Sequence, residues 1–307
     1  MRALLGLDGS TRADVARQLV EAVAWPPATS LRTVLIVDEA ATLLAGPWSP
    51  FMGSQRRALE DALVAHAEEL LDEASRQLEV TGLGVEPLVL RGRPATLILE
   101  QATDWPAQLV VLGSRGHGRL GTALLGSVSA EVVDHAPCPV LIARVPRLER
   151  VVLAHDGSAY ARAAEDTLAG WPIFRRASVE VVSVAPATAA WRSPAGVGLA
   201  AQLESHAHVV QASLVEHRAI AEEASARLAE AGLDASAAVL QGDPAESIVE
   251  HAATSRADLI VSGTHGRTGI ARVLLGSVAR NVMLHAACSV LVVRGGSSAG
   301  GPSAGDD

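Results

Sequence analysis

The chain repeats itself. Gly113-Ser114-Arg115-Gly116, nine residues and then Gly126-Ser127-Val128-Ser129 come back as Gly263-Thr264-His265-Gly266, nine residues and then Gly276-Ser277-Val278-Ala279. Laid over each other at an offset of 150, residues 113–144 show 14 identities in 32 positions. Each copy follows a short apolar run, Leu109–Leu112 or Leu259–Ser262, and opens into a helix-like segment. A strand, a glycine-rich loop and a helix start must therefore occur twice. Such a loop gathers free backbone N–H groups and the positive end of a helix dipole around one point, which suits a phosphate.

A length of 307 residues and a hydrophobic content of 49 % are ample for two buried cores. The net charge of −9 argues against nucleic acid as a main partner. All 25 basic residues are arginine, so no P-loop lysine exists, and bound phosphate must be held by backbone amides, hydroxyls and arginine. No apolar run approaches the roughly 20 residues needed to span a bilayer. The opening Met1–Asp8 reads as a strand that starts at once, not as a signal peptide. The two cysteines, Cys138 and Cys288, hold the same repeat position and read as structural. Together these features make a cytoplasmic location the expectation.

Along the chain, Ala3–Leu7 reads as a strand ended by Asp8-Gly9-Ser10, with Ser10 or Thr11 capping a helix to about Ala24. Thr33–Val37 is a second strand, 40–53 a loop and Ser54–Val80 a long helix. Val85–Leu90 is a third strand, and Pro87 places it at an edge. A helix opens at Pro94, Leu109–Leu112 is the fourth strand, a helix follows over Ser127–His135, and Pro139–Ala143 is the fifth strand. The second half repeats the order, from Val151–His155 with Asp156-Gly157-Ser158, through a loop at 185–200, to a last strand at Ser289–Val293. Residues 296–307 are Gly, Ser, Ala, Pro and Asp only and are expected to be disordered.

Alternation of apolar strands with helices means parallel sheets covered on both faces. Ligands of such sheets sit at strand carboxyl ends, where the strand order reverses. If Asp8-Gly9-Ser10 and the glycine loop line one site, the first and fourth strands are neighbours, and right-handed crossovers then favour the order 3-2-1-4-5. The expected architecture is thus α/β and Rossmann-like, with two tandem five-stranded parallel sheets and helices on both faces.

Gly-x2-Gly-x9-Gly-Ser after a strand, preceded far upstream by a strand ending in Asp-Gly-Ser, resembles the universal stress protein family. The resemblance covers both halves, residues 1–145 and 149–295, and so implies a tandem form. In the family's ATP-binding branch it implies one nucleotide per domain, at the ends of the first and fourth strands, with Mg2+ as an optional companion. Asp8 and Asp156 then match the aspartate facing the ribose hydroxyls, since an ionised carboxylate accepts from two hydroxyl donors. Leu7 and His155 match the position packed near the adenine, and Val37 and Val184 the apolar wall of the base pocket. Gly113, Arg115, Gly116, Gly126, Ser127, Val128 and Ser129 match the phosphate loop, as do Gly263, His265, Gly266, Gly276, Ser277, Val278 and Ala279. The resemblance also implies intramolecular pairing of the two domains through their fifth strands, and leaves dimerisation of the whole chain open.

Three functions remain open on the sequence alone. The first is an ATP-binding sensor, the second a slow ATPase or a nucleotidyl- or phosphoryl-transferring enzyme, and the third a non-binding structural pseudo-dimer. No residue pattern names a general base, a metal cluster or a nucleophile elbow. The two sites are expected to be unequal, the second weaker, because Ser129 offers a hydroxyl where the second copy has Ala279.

Overall fold

Runs of Val, Ile and Leu become the strands, and the amphipathic segments between them become the helices. A computed structural model of the chain describes residues 1–38, 53–116, 125–186, 199–266 and 275–295. The expected loops at 40–53 and 185–200 lie outside the described residues except at their ends, as does the 296–307 tail. At those ends, Ala185 and Pro186 finish a strand and Leu199 opens a helix, where the sequence reading had loop.

The first half runs β1 (Arg2–Leu7), α1 (Thr11–Ala22), β2 (Ser30–Val37), α2 (Gly53–Glu79), β3 (Gly84–Arg91), α3 (Pro94–Asp104), β4 (Leu109–Gly113), α4 (Ser127–His135) and β5 (Val140–Ala143). The second half repeats it as β6 (Arg150–Ala154), α5 (Ala159–Gly170), β7 (Ser178–Pro186), α6 (Leu199–Glu230), β8 (Asp234–Gly242), α7 (Pro244–Thr254), β9 (Leu259–Gly263), α8 (Ser277–His285) and β10 (Ser289–Val293). Ser10 and Ser158 cap α1 and α5, their hydroxyls accepting from the Ala13 and Ala161 amides.

The expectation of two separate sheets is corrected. The strands form one sheet of ten, in the order β3-β2-β1-β4-β5-β10-β9-β6-β7-β8. Pairing is parallel within each half. At the centre β5 and β10 run antiparallel, with Leu141 opposite Leu291. Both leucines are at most 2 % exposed, so β5 and β10 lie inside the sheet and do not end it. Hydrogen bonding across this seam merges what sequence periodicity can only show as two equal sheets. The outer edges are β3, which carries Pro87, and β8.

Each face of the sheet carries a continuous core. On one, Leu5, Leu19, Leu78, Val111 and Leu141 join Leu153, Leu168, Leu228, Val261 and Leu291 beneath α1, α2, α5 and α6. On the other, Val34, Ile98, Val132 and Ile142 join Val182, Ile248, Val282 and Val290 beneath α3, α4, α7 and α8. The seam is also held reciprocally. Arg144, just past β5, donates to Met283 O at 2.5 Å and Cys288 O at 3.2 Å, around the end of α8. Arg294, just past β10, donates to Val133 O at 3.0 Å and to Asp134 O, at the end of α4. A guanidinium at a helix C-terminus satisfies orphan carbonyls and complements the dipole. Arg280 adds an ion pair of 2.8 Å to Asp134 across the halves. Burial pushes the Cys138 thiol up to about 12 and the Cys288 thiol up to about 11, which makes both poor nucleophiles.

Candidate nucleotide site

Strand order reverses between β1 and β4, and again between β6 and β9, so a crevice opens at the carboxyl end of each pair. Asp8 and Gly9 leave β1 on one side of the first crevice. Gly9 takes φ 78°, a left-handed turn that glycine adopts without strain. The Ser10 amide donates to Asp8 Oδ1 at 2.9 Å, and the Ser10 hydroxyl reaches Arg115 O at 3.3 Å on the other side. The glycine loop closes on itself where the Gly126 amide donates to Ser114 O at 2.8 Å. Gly116 comes so close to the Asp8 carboxylate that a methyl group on its Cα would overlap Oδ2.

The second crevice repeats this geometry. Gly157 takes φ 82°, the Ser158 amide donates to Asp156 Oδ1 at 3.0 Å, and the Gly276 amide donates to Thr264 O at 2.8 Å. A methyl on Gly266 would stand 2.7 Å from Asp156 Oδ2. In both halves the helix after the loop begins at a glycine, Gly126 or Gly276, with no side chain capping its first amides. Ser127 and Ser277 lie exposed on those first turns, beside Val128 and Val278. The structure thus gathers Asp8, Arg115, Gly116, Gly126, Ser127 and Val128 at one crevice, and Asp156, His265, Gly266, Gly276, Ser277 and Val278 at the other.

Four expectations change. Gly113 and Gly263 are needed by the fold. A Cβ on Gly113 would lie 2.7 Å from Arg12 C and O, in the backbone of α1, and one on Gly263 would lie 2.6 Å from Tyr160 C and O, in α5. The close approach that these glycines allow is between strand end and helix.

Ser129 is 5 % exposed and donates its hydroxyl to Gly113 O at 2.9 Å. An ionised phosphate accepts and does not donate, so a hydroxyl whose one proton is so engaged has none to offer it. The contrast with Ala279 is therefore one of local stability. Ser129→Ala is expected to lower the unfolding free energy by about 1 kcal/mol. Urea unfolding checks this, and an unchanged midpoint and slope would show that the bond contributes nothing.

Val37 and Val184 are not equivalent. Arg2 pairs with Ser30 and Arg150 with Ser178, so the register matches Ile36 to Val184 and Val37 to Ala185. Val37 packs with Leu7, Leu35 and Val89 under α2, whereas Val184 faces the opposite core with Ile248 and Val282. With a side-chain period of two, an alignment slip of one residue turns a strand position to the other face.

His155, expected beside the adenine, is 4 % exposed and lies against Glu165 of α5. Its Nδ1 accepts from the Gly157 amide at 3.3 Å. Its Nε2 lies 3.1 Å from Glu165 Oε2, out of line for a hydrogen bond. Glu165 in turn takes two hydrogen bonds from Arg227, at 2.6 and 2.9 Å. Nearby, the buried Ser183 hydroxyl meets His217 Nδ1 at 2.8 Å. Leu7, Leu35 and Ala67 occupy the corresponding apolar places in the first half.

Sequence reasoning missed Arg12 and its counterpart Tyr160, which stand in the first turns of α1 and α5, against Gly113 and Gly263. The signal was available: Asp8 and Asp156 are 148 apart, not 150, and that spacing carries Arg12 onto Tyr160. Among the described residues no group of three His, Cys, Asp or Glu gathers to hold a metal. No helix among them is long and apolar enough to cross a membrane.

A doubly wound sheet with an acidic turn and a glycine loop on either side of each reversal defines a Rossmann-like α/β protein. Within that class, the model of the universal stress protein family matches residues 1–144 and again 147–294. The chain belongs to that family, in its tandem form. It is 30 % identical to a universal stress protein of Mycobacterium bovis over 284 residues, covering 86 % of this chain and 87 % of that one. A single-repeat relative, a universal stress protein of Thermus aquaticus, is 37 % identical over 142 residues, covering 46 % of this chain and 96 % of its own. The crystal structure of a universal stress protein from Archaeoglobus fulgidus shares the fold, with a TM-score of 0.63 at 19 % identity over 96 % of this chain and 98 % of that one.

Proposed function

We propose that each half binds one adenine nucleotide in its crevice and that the chain acts as a nucleotide-dependent sensor in a stress response. The observation that carries this reading is the repeated pairing of a carboxylate with a loop glycine, Asp8 with Gly116 and Asp156 with Gly266, beside helix starts that no side chain caps. A carboxylate there accepts from two ribose hydroxyls, and the bare amides at Ser127, Val128, Ser277 and Val278 donate to phosphate oxygens. With ATP as the ligand, Mg2+ would ride on the phosphates. Loss of nucleotide would free the crevice amides and change the surface offered to partners.

Mass spectrometry of the denatured, purified chain, followed by calorimetric titration with ATP, tests the reading. One equivalent per half is expected. Asp8→Ala and Asp156→Ala should each remove one equivalent, and the double variant both. An intact chain that takes up no adenine nucleotide at millimolar concentration overturns it. Sustained phosphate release that the double variant abolishes would move the reading to a slow ATPase.

A further inference from the structure

The crevices share a carboxylate, a glycine loop and a helix start, but differ in what stands around the phosphate end. In the first half, Arg12 follows the Ser10 cap in the first turn of α1, and Arg115 sits in the glycine loop. Among the described residues neither guanidinium is ion-paired with a carboxylate. Arg144 lies close by, drawn toward the end of α8 by its bonds to Met283 O and Cys288 O. Its own guanidinium is pushed down to about 10, first by burial and further by the charges of Arg12 and Arg115, with Cys288 opposing. Geometry brings Arg12 and Arg115 to one crevice: the Arg115 carbonyl accepts from the Ser10 hydroxyl at 3.3 Å, and a Cβ on Gly113 would lie 2.7 Å from the Arg12 backbone.

In the second half the same places hold Tyr160 and His265. Their rings meet at 5.1 Å between centroids, tilted by 47°. Gly295 makes room for this pair: a Cβ there would stand 2.7 Å from Tyr160 Cδ1, whereas the first half has Val145 at the matching place after β5. His265 Nδ1 is buried without a hydrogen-bond partner among the described residues. Neither tyrosine nor histidine carries the permanent forked charge of a guanidinium.

We propose that the halves are tuned to nucleotides of different phosphate charge. The first, through Arg12 and Arg115, takes a nucleoside polyphosphate, and the second, through Tyr160 and His265, takes a nucleotide carrying one phosphate. Each added phosphate brings negative charge that the Arg12 and Arg115 guanidinium groups can neutralise and bind in forked geometry. A tyrosine–histidine pair supplies no such permanent fork of charge. The proposal rests on the reading that each crevice binds a nucleotide, and deepens it.

The experiment compares ATP with AMP by titration of the otherwise intact chain. In Asp156→Ala, where only the first site remains, ATP should bind at least tenfold more tightly than AMP. In Asp8→Ala, where only the second remains, the preference should vanish or reverse. The double substitution Arg12→Tyr with Arg115→His, added to Asp156→Ala, should collapse the ATP preference about tenfold, with thermal melting to confirm that it is folded. Segments 117–124 and 267–274, outside the described residues, are untouched by that exchange, so a change in ratio belongs to Arg12 and Arg115. Equal ATP-to-AMP ratios in the two single-site chains overturn the proposal while leaving nucleotide binding in place. Failure of the intact chain to bind either nucleotide overturns the underlying reading as well. Where an aspartate variant does not fold, the exchange is made in the wild-type background, and a tight ATP equivalent that survives it unchanged is equally fatal.

Discussion

Gly113→Val is expected to cost the protein about 3 kcal/mol or more of stability, and Gly263→Val a similar amount. At both positions the added Cβ would meet helix backbone at less than 3 Å, Arg12 C and O in one half and Tyr160 C and O in the other. Backbone in a first helical turn cannot swing aside as a side-chain tip can, so α1 or α5 must lift from the end of β4 or β9. In the first half that lift also disturbs the Ser129–Gly113 bond, and in both it opens the crevice. Urea unfolding should show a lower midpoint with an unchanged slope, and Gly113→Ala should fall between valine and wild type. A Gly113→Ala chain as stable as wild type would mean that α1 yields freely. The expected loss also explains why the aspartates, not these glycines, are the proper probes of binding.

Glu165→Ala is expected to destabilise the second half by about 3 kcal/mol at neutral pH, most of it lost again in acid. Burial alone would raise the Glu165 carboxyl, but the two hydrogen bonds from Arg227 and its charge, with the His155 ring 3.1 Å away, outweigh it and hold the carboxyl down at about 2. Against an ordinary value of about 4.3 the shift spans roughly two units, and each unit is worth about 1.4 kcal/mol. A depressed carboxyl contributes stability that is fully present above its unfolded value and is lost as pH falls through the folded one. Wild type should therefore weaken between pH 4.5 and 2 more steeply than Glu165→Ala. Parallel pH profiles for the two chains would sink the argument. The matching region of α1 offers only exposed pairs, Arg17 with Asp14 and Glu21, whose removal should change little.

Much of the architecture was legible because it is local. Apolar runs, Ser10 and Ser158 as caps, Pro87 at an edge and the glycine spacing each act through a few neighbouring residues, and each places an element or a turn. The crevice was legible for the same reason, since an Asp-Gly-Ser turn and a glycine loop carry their own backbone conformations. Arg12 and Tyr160 escaped notice because their chemistry arises only when the first helix is laid against the glycine loop, some hundred residues away in sequence.

What the sequence by itself determined is the repeat, the strand–helix alternation and the residues that reach the strand ends. Only the tertiary structure decided which way those residues face and what they touch. A strand shows two faces and a sequence does not say which register its neighbour will adopt, so Val184 turned away from the place of Val37. A hydroxyl serves the nearest unpaired acceptor, so Ser129 bonded to Gly113 and not to a ligand. Two sheets became one because the apolar edges of β5 and β10 lose more by staying in water than by pairing with each other.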